Sequence, residues 1–142
     1  KSGESITSLK PIHHIVYMGD TAPGAHFQLD EVTRARIFIC ECTFFEDGHA
    51  GRARLGKHLH IEDLAQILPA LEAEHIVLTH LSRRTHLGKA RQQLQKCLPE
   101  DLHEKVHLLM DHRTNRARYQ QQQREAGIEV PPRRRPTAAP ER

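Results

Sequence analysis

The chain has 142 residues, with 21 Lys and Arg against 18 Asp and Glu, 12 His, three Cys and no Trp, and a hydrophobic content of 37%. That length suits one domain or one part of a larger one, and no apolar run approaches the roughly 18 residues that a membrane helix needs. Charge is unevenly placed: residues 1–111 carry 13 basic and 15 acidic side chains, net −2, while residues 112–142 carry 8 and 3, net +5. The body is therefore not a basic nucleic-acid-binding domain, and the basic character belongs to the tail. The start, Lys1 to Ser5, has no apolar stretch of the signal-peptide kind. Cys40, Cys42 and Cys97 form neither a C-x-x-C site nor an even disulfide set, so they read as reduced thiols of a cytoplasmic chain. Because removal of Met before a bulky Lys is unfavourable, Lys1 suggests a fragment.

Ile12 to Met18 is apolar and β-branched and stops at Gly19-Asp20-Thr21, which predicts a strand and then a turn. Leu29, Val32 and Ala35 give a short helical spacing. Arg36 to Cys42 reads as a second buried strand, ending at Glu41-Cys42-Thr43-Phe44, and the turn-rich stretch Glu46 to Lys57 reads as a loop. Ile61, Leu64, Ala65, Leu68 and Leu71 share one helix face, with Glu62 and Asp63 in the first turn and a break expected near Pro69. Ile76 to Thr79 is a third strand with His80 at its end. Leu87 to Leu98 is a helix, Pro99 starts a short second one, and Val106 to Met110 is a fourth strand closing at Asp111-His112.

Strands that alternate with helices and lose polar alternation predict an α/β layer arrangement. Ligands of such folds gather outside the carboxyl ends of strands, where this reading puts Asp20, Glu41, His80 and Asp111. From Arg113 onward the glutamine run at 120–123 and the basic, proline-rich stretch at 131–136 leave few large apolar residues. The predicted organisation is a domain over residues 1–112 and a Gln/Pro/Arg-rich tail over 113–142, largely disordered, with helix tolerated through Arg124.

An Asp and a His at strand ends supply carboxylate oxygen and imidazole nitrogen, both accepted by zinc. The string His58-Leu59-His60-Ile61-Glu62-Asp63 approaches the dizinc motif H-x-H-x-D-H but has Glu62 where Asp is wanted and Asp63 where His is wanted. A His just ahead of a helix can instead meet an anion or move a proton. Histidines 13, 14, 26, 49, 75, 86, 103, 107 and 112 have no motif behind them and default to surface or structural roles.

Four strings occur in one order: Tyr17-Met18-Gly19-Asp20-Thr21, Glu41-Cys42-Thr43-Phe44, Gly56-Lys57-His58-Leu59-His60 and Leu78-Thr79-His80-Leu81-Ser82-Arg83-Arg84. Together they resemble the carboxyl-terminal half of metallo-β-lactamase-fold hydrolases of the ribonuclease Z type. That group carries a strand ending in G-D-T, another ending in H-E-A-T-F, a loop with G-H before a small hydroxyl residue, and L-T-H-x-S-x-R. The resemblance implies an α/β fold, one half of an αβ/βα sandwich. It implies that Asp20 bridges two zinc ions, with His80 a terminal ligand. His58 would give a proton to the leaving oxygen and Glu41 would orient it, while Thr43 and Arg84 support loop geometry. The implied activity is zinc-dependent hydrolysis of phosphodiester bonds, by a phosphodiesterase or an endoribonuclease of tRNA 3′ processing, with RNA as partner.

Departures accompany the match: Cys40, Cys42, His60 and Thr85 stand where His, Ala, Ser or Thr, and Tyr are usual. The H-x-H-x-D-H segment, expected in an amino-terminal half of the fold, is not found. This half alone is therefore expected to be inactive and to need that other half as partner; a homodimer is compatible with the sequence, and no membrane contact is expected. Two rivals stand beside this reading. One is a non-catalytic module binding nucleic acid or a partner chain; the other is a hydrolase of the same fold acting on thioester or lactam bonds.

Overall fold

The computed structural model describes residues 9–82, 85–109 and 111–127. Two compact units divide the chain, Lys1–Met110 and Asp111–Arg142. The first is built on four strands, β1 (Ile15–Tyr17), β2 (Ile37–Glu41), β3 (His75–Thr79) and β4 (Val106–Leu108). They lie in chain order, every neighbouring pair parallel. Parallel neighbours require crossovers, and helices supply most of them. The sheet is thus an α/β layer, as the alternation of elements predicts.

A 3-10 turn at Ala25–Gln28 and α1 (Asp30–Thr33) join β1 to β2. Between β2 and β3 run α2 (Ala50–Gly56), α3 (Ile61–Ile67) and a 3-10 turn at Leu68–Ala70. Pro69 lies in that turn, where the helical pattern was expected to break. Between β3 and β4 lie α4 (Leu87–Cys97) and a 3-10 turn at Glu100–Leu102. The loop expected over 46–57 is corrected by α2. Its glycines bracket a turn in which Ala53 is the buried residue, so no apolar stripe marks it in the sequence.

The core forms on one face of the sheet. Phe38, Cys40, Ile76 and Leu78 alternate inward from β2 and β3 and pack with Leu64 and Leu68 and with Ala90 and Leu94 from α4. Each fully buried Leu, Ile or Phe removes enough apolar surface from water to contribute roughly 1.5–3 kcal/mol. The intervening residues face the other way and are less covered. Ile15 and Tyr17 on β1 are largely exposed, although the apolar run that predicts this strand shows no polar alternation.

In the second unit α5 spans His112–Glu125. The glutamine run is therefore helical, one residue beyond the tolerated limit, supported by Gln121–Glu125 and Tyr119–Gln123 hydrogen bonds of 2.9 and 3.0 Å at i,i+4 spacing. Asp111 caps this helix, its carboxylate accepting from the Thr114 amide at 3.3 Å. The basic, proline-rich stretch at 131–136 and Arg84 lie outside the described residues. No described helix is long and apolar enough to cross a membrane.

Candidate functional site

The carboxyl ends of β1, β2 and β3 deliver Asp20, Glu41 and His80 to one end of the sheet. Register explains the convergence: Glu41 pairs with Thr79, one residue before His80, and the Met18 amide donates to the Ile39 carbonyl at 2.9 Å. Gly19 then turns with φ +62, a conformation that costs an L side chain energy even though a Cβ would meet nothing there. Asp20 leaves this turn half exposed.

Glu41 is the anchor. Its side chain is fully buried, yet both oxygens are satisfied. Oε1 accepts from the amides of Thr21 at 3.2 Å and Leu59 at 3.1 Å and from His58 Nδ1 at 2.8 Å. Oε2 accepts from the Thr43 amide at 3.0 Å and the Thr43 hydroxyl at 2.6 Å. A buried carboxylate is tolerated only when paired and hydrogen-bonded in this way. One side chain thereby ties together the loops after β1, after β2 and after α2.

His58 reaches the site through the end of α2. Lys57 takes a left-handed conformation, φ 56, at the C-cap, and the His58 amide closes onto the Ala53 carbonyl at 2.9 Å. Two residues on, His60 turns inward. It is buried, its imidazole accepts from the Glu62 amide at 3.3 Å, and Asp63 accepts from the His60 amide at 2.9 Å, closing a capping box on α3. His60 Nε2 meets the Glu46 carbonyl at 3.0 Å, so both ring nitrogens serve the fold.

His80 sits at φ +52, a left-handed conformation uncommon outside glycine. Its Nδ1 lies 2.9 Å from the Thr43 hydroxyl, and its Nε2 lies 3.6 Å from Asp20 Oδ2. The tautomers follow. A carboxylate only accepts, so His58 Nδ1 carries its hydrogen toward Glu41. Thr43 gives its one hydrogen to Glu41 and accepts from His80 Nδ1–H. Each ring thus has Nδ1 held by a partner, which leaves Nε2 as its other polar atom. The rings stack, centroids 5.2 Å apart and planes 23° apart.

Asp20, His58 and His80 each offer one ligand atom, all within 4.8 Å of one another. Imidazoles whose second nitrogen is held by a carboxylate or a hydroxyl match the usual outer shell of metal-binding histidines. The donor set, two imidazoles and a carboxylate, fits zinc. The structure thus brings Asp20, His80, His58 and Glu41 together, while Asp111 belongs to the cap of α5. Thr21 and Thr43 are members that motif reading passed over or placed as loop support. Thr43 had a signal in its position two residues after Glu41; the Thr21 and Leu59 amides had none.

Cys40 and Cys42 flank Glu41 but point into the core. Burial pushes both thiols far above the ordinary range, reinforced at Cys40 by the Glu41 charge, so neither is a nucleophile.

No family model matches the chain. It is similar to the chloroplastic tRNase Z TRZ2 of Arabidopsis thaliana, 29% identical over 101 residues that make up 68% of this chain and 28% of the relative. It is 34% identical to the ribonuclease Z of Pyrobaculum arsenaticum over 95 residues, 66% of this chain and 32% of that one. It is 36% identical over 70 residues to the zinc phosphodiesterase ELAC protein 2 homolog of Caenorhabditis elegans, 49% of this chain and 8% of the relative. The matched part spans about a third or less of the length of these relatives.

Proposed function

We propose, for a chain of the ribonuclease Z type with the α/β build of one metallo-β-lactamase-type half, that it is part of a zinc-dependent hydrolase of phosphodiester bonds in RNA. The observation that carries this reading is the convergence of Asp20, His58 and His80, with both imidazoles presenting Nε2. Asp20 and His80 would hold zinc, two ions being bound once the other half of the fold adds its ligands. Bound zinc supplies Lewis-acid activation of water and of the phosphoryl group.

His58 has a different task. Held by Glu41 at Nδ1, it aims Nε2 toward the cleft and passes a proton to the leaving oxygen, a transfer that imidazole performs well near neutral pH. Buried Glu41 fixes the His58 ring through Nδ1, and the Thr43 hydroxyl fixes the His80 ring through its own Nδ1. The reading includes a cytoplasmic setting and inactivity of these 142 residues alone.

Chelator competition tests it. Zinc should bind the chain, and His80→Ala and Asp20→Asn should each weaken it by at least tenfold, while His58→Ala changes it by less than about threefold. Zinc affinity unmoved by the first two variants would exclude the metal role. Zinc-dependent turnover of a phosphodiester by the chain alone would exclude its being an inactive half.

A further inference from the structure

Next to the cluster, across Thr43, lies a cavity of about 290 Å³ that the proposed chemistry does not use. Thr43, Phe44, His49, Arg52 and Ser82 line it. Its aromatic wall continues into the two cleft imidazoles. The His49 ring stands edge-on to Phe44 at 6.1 Å, Phe44 stands edge-on to His58 at 6.3 Å, and His58 stacks on His80. The Arg52 guanidinium lies over the Phe44 ring, 5.8 Å from its centre. Glu46, at the same cavity, lies 3.5 Å from His49 Nδ1, and no described carboxylate pairs with Arg52.

An aromatic face and a guanidinium are groups that bind a nucleotide: a base stacks and a phosphate takes the fork of Arg. The Arg52 guanidinium has one exposed contact, 3.5 Å from His49 Nε2, which leaves its other N–H groups for an anion. The volume lies at the low end of ligand cavities, about 300 Å³, which suits one nucleotide and not a duplex. Arg52 reaches this place because α2 carries it one turn before the Lys57 cap that also orients His58. A single short helix therefore sets the distance between the proton donor and the cation.

We infer that this cavity is a subsite for the nucleotide neighbouring the scissile bond in single-stranded RNA. The base packs on Phe44 and His49, and its phosphate is held by Arg52. The inference rests on the hydrolase reading for its substrate class, and its test is separable from that reading.

Fluorescence anisotropy of the full chain with a fluorescein-labelled oligoribonucleotide of about eight residues is the measurement. Arg52→Ala and Phe44→Leu should each weaken binding at least fivefold, and Arg52→Ala should lower the salt slope by about 0.7. Arg54→Ala, the same charge change at an exposed position of the same helix outside the cavity, should alter affinity less than twofold. Arg52→Lys should recover part of the salt slope but not the affinity. Equal losses for Arg52→Ala and Arg54→Ala, or no measurable RNA binding by the unsubstituted chain, would overturn the subsite. Chelator competition on Arg52→Ala serves as the second axis: its zinc affinity should match that of the unsubstituted chain, so failure of the metal reading and failure of the subsite give different results.

Discussion

The same strands carry charged residues at both of their ends, and the two ends treat them in opposite ways. At the amino ends, Arg36 and Glu74 form a bidentate pair with two contacts of 2.9 Å, more than half exposed, and His75 lies 3.3 Å from His107. At the carboxyl ends, Glu41 is completely buried and every donor around it converges on its two oxygens. Short distance is common to both. What differs is solvent: water competes for every exposed partner, whereas the buried partners have no other recourse. The geometrically better pair is therefore the energetically weaker one.

Substitution at each end should expose that contrast. Glu41→Ala leaves the Thr21, Thr43 and Leu59 amides and the His58 ring without their acceptor, and we expect about 3–5 kcal/mol of lost stability by denaturant titration. A loss under about 1 kcal/mol would mean that water replaces the carboxylate and that the network is not an anchor.

A smaller effect concerns the thiols beside it. Because burial raises Cys40 and Cys42, the folded state keeps their protons longer than the unfolded state does. Their contribution is complete below the ordinary thiol pKa, near 9, and is lost as pH rises above it. Stability should thus decline on the alkaline side, and alkylation at pH 8 should modify the less buried Cys97 first, with Cys40 and Cys42 reacting on unfolding only. Early labelling of Cys40 would contradict the packing described for β2.

The smallest effect belongs to the exposed end. Arg36 holds Glu74 below the usual carboxylate range through its hydrogen bonds, so whatever the pair contributes is present above about pH 4.5 and lost below it. Arg36→Ala should leave the unfolding midpoint at neutral pH unchanged within error, and a clear fall would show the pair to be stronger than its exposure allows.

Much of this was legible in the residues because the signals are local. Apolar runs ending in Gly19-Asp20 and in Thr79-His80 marked strands and their rims, and the order of the short strings placed Asp20, Glu41, His58 and His80 in one neighbourhood. What escaped reading is tertiary. The α2 segment has no apolar face to announce it, since Ala53 alone is buried and the helix is held by its place between β2 and His58. Exposure of Ile15 and Tyr17 depends on how little of the described chain covers their face of the sheet, which composition does not encode. His60 stands where a small hydroxyl residue is usual, and its role could not be inferred from the departure; its ring nitrogen accepts the amide of Glu62 as a hydroxyl oxygen would at a helix start. The aromatic row from His49 to His80 also spans separate segments and becomes visible when the rings are in place.

The left-handed backbone of His80 has a consequence for how substitutions there will be tolerated. Asn or Gly would occupy that conformation with less strain, by about 1 kcal/mol, so the demands of folding alone favour a residue other than the one present. A library selected for solubility or thermal resistance should drift away from imidazole at position 80, and one selected for metal retention should hold it. The position sets two selective pressures against each other within a single peptide unit.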